Sequence, residues 1–503
     1  MSSPADARPA PHSPFDDAAL RRLVIGVLIV MVLGALDQAI VATAMPTIGE
    51  SLGGFDLLAW TVSAYMLAST VSTPLYGKLA DIHGRRPVLL VSMTIFTLGS
   101  VLCALAPSME LLIAARTVQG LGGGGVMAIP LTIIADVVPP RERGRFQAYF
   151  AIGFSAAMIS GPLLGGFFAA QLHWSLIFWI NPPILAVAFA IMRQSLWRMP
   201  ANHRPHRLDV AGAALMTVAA VCLLLALDWG GSRYGWTSST VLALGAVSAL
   251  FWGGFAWRNA RSPEPLLPFD VLRDSVVASA SSASFLAMCA FVGLMVTTPI
   301  YFEGLRALST GETALAFLVL TIGTVVGSSN AGRLIRRVKR FKLLAAYGHA
   351  ASAVALGAAA FAHADLPLYA FEVLLGVAGV GFGTSFPIGT VAVQNAVEMH
   401  NMGIATAAIG FLRSLGGVVG AALMGTLAFG AAAHAHAATH AAENVTPEAY
   451  SLVFAGAAVL AALASACFFA IEDRPLRSMA PPQAGRPGGA PPAQPSATRG
   501  PAD

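Results

Sequence analysis

Charge is what this sequence has least of. Only 11% of its 503 residues are Asp, Glu, Lys or Arg, 56% are hydrophobic, and the mean hydropathy is +0.70. A water-soluble chain of this length needs far more charge on its surface. Cysteine is scarce as well: Cys103, Cys222, Cys289 and Cys467 all sit inside apolar runs. That pattern excludes a disulfide framework or thiolate metal site and leaves small apolar packing residues. Several chemistries lack their motifs. There is no Walker A phosphate loop, no G-x-S-x-G and no H-E-x-x-H, so ATP hydrolysis and hydrolase chemistry are not expected. Gly379, Gly381 and Gly383 lie in an apolar run with no preceding strand, which excludes a dinucleotide loop. Of His434, His436 and His440, only the last two have helical i, i+4 spacing, and the loop reads as incidental rather than metal-binding. The expectation is not an enzyme, with no cofactor and no metal.

What the chain does have is apolar runs of about 20 residues, each long enough to cross a bilayer as a helix. They fall at 23–46, 58–77, 88–106, 111–130, 146–169, 174–192, 209–228, 239–257, 275–299, 314–331, 343–362, 366–390, 403–431 and 449–471. The predicted fold is an all-α integral membrane protein with 14 transmembrane helices. The net charge of +5 does not point to nucleic acid, because the cations are confined to short loops. They also alternate. Lys78, Arg85 and Arg86 follow span 2; Arg141, Arg143 and Arg145 follow span 4; Arg193, Arg198, Arg204 and Arg207 follow span 6. Arg258, Arg261 and Arg273 follow span 8, and the Arg333–Lys342 cluster follows span 10, while the alternate loops carry only Arg233 and Arg306. The excess of cations on one side predicts cytoplasmic termini in an inner or plasma membrane, multi-pass. No cleavable signal peptide is expected from the polar opening and the long first run.

Self-similarity divides the chain. Gly77–Pro87 and Gly332–Lys342 are two short basic turns opening on glycine. Arg116, Gly120 and Gly123 match Glu372, Gly376 and Gly379; Gly161-Pro162-Leu-Leu-Gly165 matches Gly416-Gly417-Val-Val-Gly420. All offsets are 255 or 256 residues. The predicted domains are therefore a cytoplasmic segment 1–22, a six-helix bundle 23–206, two inserted linker helices 207–260, a second six-helix bundle 261–472, and a disordered Pro/Ala/Gly-rich tail 473–503. Repeated halves around a midplane site are a recurrent plan for secondary transporters.

Charges inside the hydrocarbon region are costly, so each is a functional candidate. Asp37 and Arg116 sit about 14 Å and 9 Å from the outer ends of their spans at helical rise, near enough in depth to pair. Such a pair is a switchable element, or else a permanent ion pair that only fixes packing. Glu372 takes the place of Arg116 in the second half, as a proton or cation site or a solvated helix end. Arg413 lies too deep to snorkel and is expected to face a cavity or an acidic partner. Glu303 reads as an end residue. Gln38, Gln119, Asn330 and Asn395 either line a pathway or join helices. Gly153, Gly161, Pro162, Gly165 and Gly166 would make a kinked, closely packed helix.

Several stretches, in order, resemble the major facilitator superfamily, and within it the fourteen-helix drug:proton antiporters of EmrB/QacA type. They are Leu36–Pro46, Gly77–Arg86, Arg116–Gly120, Gly153–Gly166, Trp174 to Asn181-Pro-Pro, Asp209–Gly212 and Arg413–Gly417. The resemblance covers about residues 23–471 and implies export of lipophilic, often cationic compounds in exchange for protons by alternating access. It makes Asp37 and Arg116 the proton-coupling pair, with Glu372 as a further candidate, and places Gln38, Gln119, Glu303, Asn330 and Arg413 along the substrate pathway. Gly77, Asp81, Gly84, Arg85 and Arg86 become the cytoplasmic gate, and the span 5 cluster the antiporter hinge. Glu303 and Thr321 stand where glutamine and proline are frequent, and the second basic turn lacks a counterpart of Asp81. The expected partners are a small-molecule substrate, protons and the lipid bilayer, with the proton gradient as energy source. A periplasmic adaptor is the one protein partner considered; the alternative is a monomer. A dedicated exporter of one metabolite or self-made antibiotic is the competing function, followed by a proton-coupled importer. A non-transporting sensor would require a substantial soluble domain.

Overall fold

A computed structural model describes residues 16–474, apart from 55–56, 200–208, 231–233, 263–264, 266–270, 272, 336, 339, 399–400 and 430–445. The histidine loop and residues 475–503 of the Pro/Ala/Gly-rich tail lie outside the described residues, while Asp473 pairs with Lys342 and Arg474 with Asp274. Fifteen helices are described and no strand: α1 (Asp17–Leu52), α2 (Leu58–His83), α3 (Arg85–Ala104), α4 (Met109–Val137) and α5 (Pro140–Gln171). Then come α6 (Leu176–Trp179), α7 (Asn181–Trp197), α8 (Val210–Trp229), α9 (Ser239–Arg261), α10 (Ser275–Gly304) and α11 (Thr310–Leu334). α12 (Lys342–Ala362), α13 (Leu368–Ala396), α14 (Met402–Phe429) and α15 (Pro447–Ala470) complete the chain.

The helices start where polar side chains satisfy their first amides. Asp16, Ser108, Asp209, Ser238, Asp274 and Thr446 cap α1, α4, α8, α9, α10 and α15, and Ser309 with Glu312 forms a reciprocal capping box on α11. Capping by Asp16 explains why α1 begins at Asp17 rather than at the first residue of the apolar run. Helix is present across all fourteen expected stretches, yet twelve among the described residues are long and apolar enough to cross a membrane. α2 and α5 are not among the twelve. α2 carries Thr61, Ser63, Ser69, Thr70, Ser72 and Thr73, whose hydroxyls lower its apolar content, and several side chains of α5, that of Pro162 among them, lie outside the described residues. Twelve apolar spans are thus found among the described residues, against the fourteen expected from the sequence.

The packing of the helices repeats along the chain. α1 lies against α5, α2 against α4, α3 against α4 and α1 against α7; later, α10 lies against α14, α11 against α13, α12 against α13 and α10 against α15. Two seams join these groups: α2 with α14, and α5 with α11. α8 and α9 pair with each other and lean on the first of these seams through Leu75, Met216, Phe255, Ile404 and Ala408.

Both seams draw tight at the end where α2 stops and α3 starts, which also carries Lys78, Arg85, Arg86, Arg145, Arg333 and Arg337; we call it the basic end. A side chain on Gly77 would meet the Gly403 carbonyl at 2.8 Å, and one on Gly332 would run into the backbone of Gly144. Only glycine allows such backbone approach. The turn between α2 and α3 has the same requirement: Gly84 sits at φ 88° and ψ 158°, a region closed to other residues.

Asp209 ties the α8–α9 pair at the same end. It accepts from the Gly212 amide at 3.0 Å and from Arg258 Nε at 3.2 Å. Burial opposes its charge, but the Gly212 and Arg258 hydrogen bonds outweigh it and hold the carboxyl below the usual carboxylate range. A lowered folded pKa contributes stability above the unfolded value, near 4, that is lost as pH falls through the folded one. Asp209→Ala is expected to cost about 1 kcal/mol at neutral pH, mostly as a lost cap because Arg258 is half exposed. Denaturation of the two proteins compared from pH 7 to pH 3 checks this; the gap narrows below about pH 4.

Candidate functional site

The sequence placed Asp37 and Arg116 at similar depth, and the fold brings them into contact. α1 and α4 are neighbours, and Arg116 Nη1 donates to Asp37 Oδ2 at 2.7 Å. Both side chains are fully enclosed, at 0% and 1% exposure. Two buried charges are stable only when their remaining hydrogen-bonding capacity is met, and here it is. Asp37 Oδ1 accepts from Gln119 Nε2 at 2.8 Å and from Asn181 Nδ2 at 2.7 Å. Arg116 Nε donates to the Thr61 carbonyl at 3.0 Å, Nη1 also donates to Gln119 Oε1 at 2.7 Å, and the guanidinium lies 4.2 Å from the Tyr65 ring centroid. Ser100 closes the cluster, accepting from Asn181 and donating to the Phe178 carbonyl.

Five helices thus converge on the pair and its partners: α1, α2, α3, α4 and α7. Sequence reading reached Asp37, Arg116 and Gln119 but not Ser100 or Asn181 as site residues. Asn181 had a signal, standing before two prolines that open a helix inside an apolar stretch. Ser100 had none, since one serine in an apolar helix is ordinary.

Gln38, the residue after Asp37, points elsewhere. It lines a cavity of about 720 Å3 between the two helix groups. The walls are rich in Met66, Met127, Met288, Met295, Phe150, Phe154, Phe291 and Phe386, with polar points at Ser69, Thr70, Thr73, Thr406 and Ser414. Polarizable thioethers and aromatic faces suit apolar ligands of varied shape. The cavity reaches Gly425 and Thr426 near the end of α14 remote from the basic end. Among the described lining residues Arg413 is the one that carries a charge, and none is Asp or Glu. Arg413 is 9% exposed and donates to Thr390 Oγ1 at 2.9 Å and to the Ser385 and Phe386 carbonyls at 3.3 and 3.2 Å. Of the two expected surroundings, cavity or acidic partner, it has the cavity.

Other expected site residues lie apart. Glu372 is half-buried near the start of α13 and Glu303 is exposed at the end of α10; neither lines this cavity. Asn330 borders a separate groove at the basic end. Of the helix 5 cluster, Gly153, Gly161 and Gly165 face Val32, Ala39 and Thr43 of α1, while a side chain on Gly166 would meet open space. These glycines bind α5 within its own group, not across a seam. The side chain of Pro162 lies outside the described residues, although α5 continues through it.

The basic turn crosses a seam. Asp81 at the end of α2 accepts from the Gly403 and Ile404 amides at 3.0 and 2.8 Å, capping the start of α14. A carboxylate there meets unsatisfied amides and the positive helix end together. Arg85 joins Asp81 to Asp136 of α4, donating to the latter at 2.9 Å, and Arg86 lies 3.6 Å over the Trp197 ring.

A helical bundle of paired groups around a central cavity, with a buried charge cluster on one side, is the architecture of a membrane transporter. The Major Facilitator Superfamily profile matches residues 27–421, and the chain belongs to that family. It is 33% identical over 411 residues to Multidrug resistance protein 3 of Bacillus subtilis, covering 82% of this chain and 80% of that protein. It is 34% identical over 407 residues to an uncharacterized MFS-type transporter of Mycobacterium tuberculosis, covering 80% of this chain but spanning only 58% of that protein's length. Among solved structures it resembles a bacterial homologue of the iron transporter ferroportin in an outward-facing state, with TM-score 0.63, 14% identity and coverage of 90% and 98% of the two chains.

Two substitutions separate the cluster from the seam. Arg116→Ala leaves Asp37 buried without its cation and is expected to destabilise the protein by about 3–5 kcal/mol, read by unfolding in detergent. Asp81→Asn keeps the size of the side chain but weakens the α14 cap; substrate turnover is expected to fall well beyond any loss of substrate binding. Equal losses in both quantities would refute a gate role for Asp81.

Proposed function

We propose that this chain is a proton-coupled antiporter that exports small lipophilic compounds by alternating access. The observation that carries the reading is the enclosed Asp37–Arg116 pair beside a large, apolar, Met- and Phe-lined cavity. A carboxylate that must be paired while ionised, and can be released when protonated, is a proton carrier. The relative named for multidrug resistance supports export of drug-like compounds.

In this reading α2 and α5 also cross the membrane, giving fourteen spans of EmrB/QacA type. Both are long and pack against helices that are apolar enough to span, so they need less apolar surface of their own. Residues 23–206 and 261–472 act as the two halves, with 207–260 inserted. The basic end is cytoplasmic by its cations, which makes the form described here closed inward and open outward. Asp81 and Arg85 hold that closure and must let go when the halves rock.

The cavity refines the substrate class. A lipophilic cation would sit beside Arg413 with no carboxylate among the described lining residues to offset the repulsion. Neutral compounds and lipophilic anions fit better, the anion gaining a charge-assisted hydrogen bond from Arg413. This departs from the cationic substrates that the family resemblance implied. A single-compound exporter would use the same wall and would differ only in breadth.

Inverted vesicles with an acidic interior test the reading against a panel of cationic, neutral and anionic lipophiles. Neutral and anionic compounds are expected to drive proton efflux, and Asp37→Asn to abolish it while substrate still binds. Arg413→Gln should weaken the response to anions by roughly tenfold or more and spare neutral compounds. No efflux with any compound, from protein shown to be folded, would sink the antiporter reading.

A further inference from the structure

The two seams at the basic end are built alike but charged differently. At α2–α14 the chain supplies its own anion: Asp81 sits against the first amides of α14 and is paired with Arg85. In the sequence repeat, the residue 255 positions on from Asp81 is Arg336. At α5–α11 the backbones still close tightly, through Gly144 and Gly332. Around that contact lies a groove of about 530 Å3 rimmed by Arg145 of α5, Arg333 of α11, and Arg337 just beyond α11. All three are exposed, and none forms an ion pair among the described residues. Closing this seam therefore gathers cations from both helix groups with no carboxylate paired to them among the described residues, which costs energy unless an anion enters.

The shape of the groove says which anion. Arg145 Nε donates to Tyr149 Oη at 2.6 Å, which steadies its guanidinium at the rim. Away from the cations the wall turns apolar: Tyr149, Ile152 and Leu334 are 39%, 42% and 36% exposed. A fork of guanidinium groups above an apolar wall complements a phosphate carried on acyl chains.

We propose that this groove binds the phosphate headgroup of an anionic phospholipid from the leaflet at the basic end. The bound headgroup serves the α5–α11 seam as Asp81 serves the α2–α14 seam, offsetting like charge so that the basic end can close. The site needs only that these helix ends meet a leaflet, so it stands or falls independently of which substrate is carried or whether protons drive it.

The test is titration of the purified full chain with phosphatidylglycerol, phosphatidylcholine and inorganic phosphate, followed by native mass spectrometry. Phosphatidylglycerol is expected to be retained, and phosphatidylcholine and inorganic phosphate to be lost. Combining Arg145→Gln, Arg333→Gln and Arg337→Gln should weaken that retention, by roughly fivefold for each arginine. A control that removes equal charge from exposed sites outside the groove, Arg21→Gln, Arg22→Gln and Arg193→Gln, should leave it unchanged. Equal loss in both triple variants, retention of phosphatidylcholine as strong as of phosphatidylglycerol, or binding of inorganic phosphate alone would each overturn the proposal. If the groove triple does not fold, Arg333→Gln alone carries the comparison against Arg193→Gln.

Discussion

The structure depends on one arrangement: a carboxylate and a guanidinium sealed together away from water. The hydrogen bonds around Asp37 and Arg116 come from five helices, and this constrains how α1, α2, α3, α4 and α7 can be placed. A buried pair of this kind contributes little net stability compared with well-packed apolar residues, yet removing one partner is costly. Such a group is kept for what it does or for the single arrangement it specifies. Its position one residue from Gln38, on the cavity wall, puts the charge cluster and the cavity within one turn of the same helix.

Around that fixed cluster the joints between helix groups are lean. Within each group, glycine-lined helix pairs approach to backbone contact. Between groups, contact narrows to two seams, and each seam is tight at the basic end. One is held by Asp81 on the start of α14 and the other by the Gly144–Gly332 approach under a ring of arginines. Few and local contacts of this kind are what a bistable interface needs, since the groups can part there without disturbing their own cores.

Much of this was legible in the sequence, and the exceptions have physical causes. Helix positions followed from apolar runs, and the pairing of Asp37 with Arg116 followed from depth alone, because charge in a membrane has so few places to go. Asn181 and Ser100 escaped because a neutral amide or hydroxyl in an apolar helix usually serves packing, and only three-dimensional convergence shows otherwise. The span count differs at α2, where six Ser and Thr hydroxyls between Thr61 and Thr73 lower the apolarity of a helix otherwise long enough to cross. Glycines mark close approach but not the partner: Gly161 and Gly165 read as a joint between halves and instead pack α5 on α1 of their own group. Arg413 was placed at the right depth, but that it has no carboxylate partner among the described residues depends on how α14 packs on α13, which no local pattern reveals.

The central claim is that Asp37 carries the transported proton. Infrared difference spectroscopy on reconstituted protein reads that carboxyl directly. The account predicts a protonated-carboxyl band that appears as pH is lowered, diminishes when substrate is added, and is missing in Asp37→Asn. A wild-type spectrum that does not respond to substrate, or the same responsive band in Asp37→Asn, would contradict it.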